Sequence, residues 1–403
     1  MKVKFLFLSS LFVLLFVTST LDAKKFTYEQ ISEMPRSIEK DYYIWRFLSQ
    51  TTTTAAEAKD VIYQASRLNT KLRTAYKNRT GLTVELPKIK ALGDENKHWR
   101  RRSKAHKSFK HGLALMQQKK PRQASVYFHD AHKNYVKQYD KDKSLFWIYM
   151  STKDDSYIKE LRESCNVNIY TLMAADTINA KYPKTITESL WKSSIWGFDI
   201  QDPIDWAKVK HKMYSGVVLH DLADDHKSQE TIGVYTYLKA KACNYTESYF
   251  PMPYRKAMKH MSPERQALIY AIARQESRFV PASVSRSFAL GMMQFMPFLV
   301  KHVAKEKGEK IDLDDMFNPY KAIEYADHHL DYLNKYLYHP LFIAYAYNGG
   351  IGFTRRHITK KRNFRRGPYE PYMSMEKMEN QEAREYGKKV LSNYVIYLNK
   401  LGV

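Results

Sequence analysis

Glu276 has the setting in this chain that most invites chemistry. It closes the segment Ile272-Ala273-Arg274-Gln275-Glu276-Ser277. Ser262 is a suitable N-cap and Pro263 a suitable first helical residue, so a helix is predicted to begin there. Along it Ile269, Ile272, Ala273 and Glu276 recur at i, i+3, i+4 and i+7, which is one face. A carboxylate therefore falls on an apolar stripe near the helix's C-terminal end, where the macrodipole disfavours negative charge. Burial and the dipole both push its pKa up, toward a proton donor at neutral pH. A salt-bridged or snorkelling Glu, beside Arg274 or Arg278, is an equal reading of the helix taken alone.

Further along come Ser285, the turn Gly291-Met292-Met293-Gln294, the pair Tyr347-Asn348 before Gly349-Gly350, and Glu376 with Glu382 and Tyr386. A glycine turn lets backbone approach a ligand, beside a flexible apolar side chain and an amide. One acid among amides and hydroxyls, with few cations, is the chemistry of a sugar site. His328 and His329 have no partners at ligand spacing and read as ordinary helix-surface residues, so no metal or cofactor is expected. Cys165 and Cys243 could pair in an oxidising compartment, but sequence leaves their separation open.

The elements that must position these groups are helical. Only 14 Gly and 14 Pro in 403 residues favour an all-α chain, and 31 Tyr, 19 Phe and 6 Trp argue against disorder. Helices are predicted at 41–48, 55–66, 108–118, 121–139, 154–164, 169–181 and 229–243. Past 250, Pro297, Asn318-Pro319 and Pro340 each open one, and a last helix runs from about Gln381 to Leu401. All six Trp precede residue 251, which supports a boundary near Phe250-Pro251. Residues 24–250 then form an irregular α-superhelical region of helix pairs, with its Trp residues as inter-helix core. Residues 251–403 form the domain that carries Glu276.

The net charge of +24 is spread along the chain and suits an extended polyanion: nucleic acid, a membrane surface or a wall polymer. Its densest cluster, Trp99 to Lys110, matches no nucleic-acid module. Lys2 and Lys4, the apolar run from Phe5 to Val17 and the stretch ending at Ala23 read as a signal peptide over residues 1–23. Leu21, large for such a site, leaves an uncleaved anchor as the alternative. Export weakens a nucleic-acid partner and favours the periplasm.

In their order and spacing, Gln275-Glu276-Ser277, Gly291-Met292-Met293-Gln294, Ala346-Tyr347-Asn348-Gly349-Gly350 and Glu376 through Glu382 to Tyr386 resemble the soluble lytic murein transglycosylase family. The resemblance covers residues 250–403. More loosely, Asp41-Tyr42-Tyr43-Ile44-Trp45-Arg46-Phe47 resembles its superhelical N-terminal region. The resemblance implies a lysozyme-like catalytic domain and a single catalytic acid/base, Glu276. That residue would cleave the β-1,4 bond between N-acetylmuramic acid and N-acetylglucosamine without water, closing a 1,6-anhydro ring. It further implies that Ser285 positions the N-acetyl group, that Tyr347 contacts the sugar or Glu276, and that Met293, Gln294 and Asn348 line subsites. Glu382 would meet the substrate's peptide. The implied partner is the peptidoglycan glycan strand, together with other wall enzymes, for a peripheral monomer. A hydrolytic muramidase and a silent wall-binding scaffold are the alternatives. Two residues depart from the family pattern: Phe288 stands where Gly is common, with the cleft floor or loop backbone at stake, and Glu379 replaces a Pro.

A basic surface that concentrates the protein on anionic wall polymer predicts that binding to isolated sacculi weakens as salt rises. Pelleting across a salt series tests this, and salt-independent binding refutes it.

Overall fold

The computed structural model describes residues 24–85, 95–360 and 363–403. The signal-peptide stretch lies outside them, as do the side chains of Trp99 and Arg100 to Arg102 in the basic cluster. The described chain is all-α, with β-structure limited to isolated bridges such as Ile186 with Tyr249 and Leu290 with Phe295.

Eight helices position the site. In the N-terminal region these are α1 (Ile38–Ser49), α2 (Gln138–Thr152) and α3 (Ile169–Thr177). Past residue 250 come α4 (Pro263–Glu276), α5 (Pro297–Lys307), α6 (Pro319–Asn334), α7 (Pro340–Gly349) and α8 (Gln381–Leu401). Their starts follow from local chemistry. The Ser262 side chain accepts from the Arg265 amide, Asn318 from those of Tyr320 and Lys321, and Asn380 from that of Ala383. Pro263, Pro297, Pro319 and Pro340 occupy first turns, where a missing N–H costs nothing. Gly308 ends α5 in the left-handed conformation.

Several expected helices differ. The stretch 121–139 breaks at Asn134, because Tyr135 turns extended and buries its ring beside Phe109; α2 then starts at Gln138. The stretch 55–66 is helical only to Val61, followed by a 3-10 turn, and the helix expected at 108–118 begins at Glu95. Among the tryptophans, Trp147 and Trp206 are core, whereas Trp191 and Trp196 are 96% and 99% exposed. Both lie in an irregular segment with no helix face to bury them, anchored instead by Leu190 and Phe198. Cys165 and Cys243 are separate thiols.

The buried clusters do not respect the boundary near 250. One joins Ile44, Phe47 and Leu72 to Leu290, Phe317 and Tyr397; another joins Phe128 and Trp147 to Met373; a third joins Trp206 and Leu238 to Val280. Two polar links reinforce this continuity. Arg46 of α1 pairs with Asp312 at 2.7 Å and Asp314 at 2.9 Å, while the Tyr42 hydroxyl donates to Asp314 at 2.8 Å. On the other side, buried Lys388 of α8 lies 3.0 Å from Glu376 and 3.1 Å from Glu385. Tyr170 of α3 donates to Glu376, and Tyr139 of α2 to Glu385, each at 2.7 Å. Burial alone would raise the Glu385 carboxyl, but Lys388 and Lys143 hold it well below the usual range.

Truncating Arg46 would leave Asp312 and Asp314 largely buried, with only the exposed Lys24 ammonium, 3.8 Å from Asp314, as a cationic neighbour. Arg46→Ala is therefore expected to cost about 3 kcal/mol in equilibrium denaturation. A loss below about 1 kcal/mol would contradict the assignment.

Candidate active site

Glu276 is the last residue of α4, partly buried at the junction of two cavities. The larger, about 620 Å³, runs from Glu276 past Ser285, Gln294, Tyr347 and Asn348 to His329 and Tyr332. The other, about 550 Å³, is lined by Gln275, Gln381, Tyr386 and Lys389. Asn348 and Glu382 border both.

The two arginines of the salt-bridge reading are engaged elsewhere. Arg274 donates to the Tyr249 carbonyl at 2.8 Å and to Asn393 at 2.7 Å, with its guanidinium 3.8 Å from the Phe250 ring centroid. Arg278 lies over Tyr245. The partner of Glu276 is a phenol: the Tyr386 hydroxyl donates to Oε1 at 2.7 Å. Burial raises the Glu276 pKa to about 7; the Tyr386 bond pulls it down and the Glu382 charge pushes it up. Tyr386 itself stays protonated, because burial and the nearby Glu276 carry its pKa well above the ordinary phenol value.

The loop after α4 is strapped to its neighbours. Ser277 donates to the Met292 carbonyl at 2.8 Å, and Tyr347 of α7 donates to the Met293 carbonyl at 2.9 Å. The Met293 side chain is fully buried and absent from the cleft wall, so it supports the turn and does not line a subsite. Tyr347 borders the cleft, but its hydroxyl is given to Met293 and not to Glu276. Gln294 reaches back to the Gly291 and Ser283 carbonyls at 2.8 and 3.1 Å. Gly291 is obligatory there: its φ is +75°, and a Cβ would sit 1.9 Å from the Met316 carbonyl oxygen. Ser285 accepts from the Ala289 amide at 2.9 Å at the cleft edge.

Phe288 does not shape the cleft floor. It adopts φ +61° and buries its ring against Trp45 and Tyr42 of α1, with centroids 5.7 and 5.9 Å away. Glu379 is exposed and pairs with Lys360 at 2.6 Å. His328 bonds Glu306 at 2.9 Å, whereas His329 is a cleft residue and not simple helix surface. Burial lowers the His329 pKa to about 4, so its ring is neutral. Among the described residues no group of three His, Cys, Asp or Glu could hold a metal.

Sequence reasoning gave Tyr386 no role, although it lies one turn from Glu382, a spacing that puts both on one helical face. Gly387 beside it allows the close approach of α8 to α7, since a Cβ there would meet the Tyr345 ring at 2.2 Å.

A helical scaffold that presents one desolvated acid in a polar cleft defines the class. Residues 253–369 match the family described as Transglycosylase SLT domain. Glu276, Ser285, Met293, Gln294, Tyr347 and Asn348 lie inside the matched stretch, and Glu382 and Tyr386 beyond it. Over 141 residues the chain is 32% identical to a Haemophilus influenzae protein provisionally named soluble lytic murein transglycosylase; the match covers 32% of this chain and 23% of that protein. In fold it is similar to an inactive mutant of lytic transglycosylase Slt from Pseudomonas aeruginosa, at TM-score 0.51 and 16% identity, covering 93% of this chain and 66% of that one. The 70 kDa soluble lytic transglycosylase from Escherichia coli is similar at TM-score 0.51 and 19% identity, covering 90% and 66%. The chain thus spans about two thirds of the structural relatives and under a quarter of the Haemophilus protein.

Tyr386→Phe tests the electrostatics. Its hydrogen bond favours the carboxylate, so its removal is expected to move the Glu276 titration upward from about 7. Carbon-labelled glutamate followed by NMR reads the shift, and a midpoint that falls or stays would refute the arrangement.

Proposed function

We propose that the chain is a lytic transglycosylase of peptidoglycan, cleaving between N-acetylmuramic acid and N-acetylglucosamine to leave a 1,6-anhydromuramoyl end. The observation that carries this reading is the Glu276 carboxyl, raised to about 7 with a phenol as its bonded partner and, among the described residues, no cation paired to it. Such a group is a proton donor at neutral pH and, once ionised, a base of matched strength.

The steps follow from that property. Glu276 gives its proton to the glycosidic oxygen as the bond from the muramoyl anomeric carbon to that oxygen breaks. The N-acetyl group, placed by Ser285, supports the positive carbon. The ionised carboxyl, steadied by Tyr386, then takes the proton of the muramoyl 6-hydroxyl while its oxygen bonds to the same carbon. Glu276 ends protonated, and no water is consumed. Gln294 and Asn348 offer amides to the sugars, and Glu382 meets the substrate from the exposed rim. The domain division at 250, export to the periplasm after loss of residues 1–23, and action as a monomer without metal or cofactor complete the proposal. Among the described residues no helix is long and apolar enough to cross a membrane.

A hydrolytic reaction on the same fold is the second reading, because Glu382 borders both cavities and two carboxylates are what hydrolysis ordinarily uses. Mass spectrometry of digested sacculi separates the two: anhydro ends support the lytic reaction and reducing ends the hydrolytic one.

Glu276→Gln is expected to cut turnover by at least about a thousandfold while sacculus binding persists. Retained muropeptide release would remove the central assignment. The same variant should gain stability over the parent at pH 8. Glu276 has a folded pKa above the ordinary carboxylate value, so its ionisation on raising the pH costs the native state. That advantage should vanish as pH falls toward 4.

A further inference from the structure

The cleft does not end at the residues the reaction uses. Beyond Tyr347 a row of aromatic rings continues along α6 and onto the surface. His329 lies 5.8 Å from Tyr347, centroid to centroid, and 6.1 Å from Tyr332, with planes 19° apart. Tyr332 lies 5.5 Å from Tyr336. The positions 329, 332 and 336 fall at i, i+3 and i+7, one face of the helix and its terminal turn, while Leu330, Leu333 and Leu337 turn into the core. Tyr332 and Tyr336 are 39% and 51% exposed, so the row is not core packing. Phe298 of α5, 69% exposed, borders the same cavity as His329 and Tyr332.

Scattered exposed aromatics are ordinary, but these are continuous with the cleft and in contact with one another. The His329 ring is neutral; Arg286 borders the inner cavity, and the Arg355 guanidinium stands 5.7 Å from Tyr336, at the outer end. Flat, uncharged, half-exposed rings in series suit flat, uncharged ligand faces, and the C–H faces of pyranose rings have that character.

We infer that His329, Tyr332 and Tyr336, with Phe298 on the bordering wall, form an aromatic track that stacks further sugar rings of the glycan strand whose scissile bond lies at Glu276. This rests on the proposed substrate, and it adds that the protein grips a strand well beyond the cut. The track holds the polymer and takes no part in the chemistry.

The test is direct binding. Glycan strands freed of their peptides are titrated into the full-length Glu276→Gln protein, which holds strands without cutting them. Replacing Tyr332 and Tyr336 together by Ala should weaken that affinity about tenfold, the scale of two lost stacking contacts. Replacing both by Phe, which keeps the rings and removes the hydroxyls, should preserve it. Phe298→Ala, on a different helix, should weaken binding on its own. Unchanged affinity in the Ala variants, or no strand binding by the Glu276→Gln protein, overturns the track. Product analysis of the unmodified enzyme answers the other question independently: ring-dependent binding without anhydro products would sink the proposed reaction and leave the track standing.

Discussion

A carboxyl group stays protonated near neutral pH only where both water and cations are kept from it. Much of the arrangement around Glu276 follows from that constraint. The helix end supplies an unfavourable dipole, and the apolar stripe of α4 supplies desolvation. Arg274, two residues away, would cancel both, and it is held off by the Tyr249 carbonyl, Asn393 and the Phe250 ring. Tyr386 then adds a donor that favours the anion, so the group is raised but still able to ionise. In the proposed reaction Glu276 acts first as acid and then as base, and that pair of roles needs this balance of opposed effects.

The balance makes α8 the critical element, because it brings Tyr386 to Glu276. Its seating is fixed on two sides. Gly387 lets it close onto Tyr345 of α7. Lys388, the next residue, is buried with Glu376, Glu385 and Tyr170, which ties the same turn to α2 and α3 of the N-terminal region. A buried ion cluster adds little net stability compared with apolar packing, but it tolerates few alternative geometries. The helices before residue 250 therefore bear on the surroundings of Glu276 through the position of α8.

What the sequence revealed divides along a physical line. Ser262-Pro263, Asn318-Pro319 and Pro340 act on their own backbone neighbours, so the starts of α4, α6 and α7 were readable. The apolar stripe of α4 likewise announced a desolvated Glu276, and three of the four ordered motifs lie in the stretch that matches the SLT domain family. Properties settled by distant partners were not readable. The role of Tyr386 depends on a residue 110 positions earlier. The Met293 side chain is buried, and it is its carbonyl that meets Tyr347. Pro121 opens a helix that periodicity would continue to Tyr139, but burial of Tyr135 breaks it. The exposure of Trp191 and Trp196 contradicts the usual rule for indoles, and nothing local to them signals it.

Phe288 shows how such distant terms reach the site. A non-glycine residue at φ +61° carries a backbone penalty of about 1 kcal/mol. Burying a phenylalanine ring returns about 2 kcal/mol or more, and here the ring stacks on Trp45 and meets Tyr42 edge-on. The departure from glycine is thus compensated by α1, more than two hundred residues earlier in the chain. Two further bonds act on the same loop: Asn69 donates to the Arg286 carbonyl at 2.9 Å, and Lys71 to that of Ser287 at 3.0 Å. The segment from Ser285 to Ala289 forms one edge of the cleft, and its backbone is clamped by N-terminal residues at consecutive positions. A glycine at 288 would leave that edge held to the N-terminal region by the Asn69 and Lys71 bonds without the buried ring. With phenylalanine, the position of Ser285 is coupled to the helical region, and the two halves of the chain share one site.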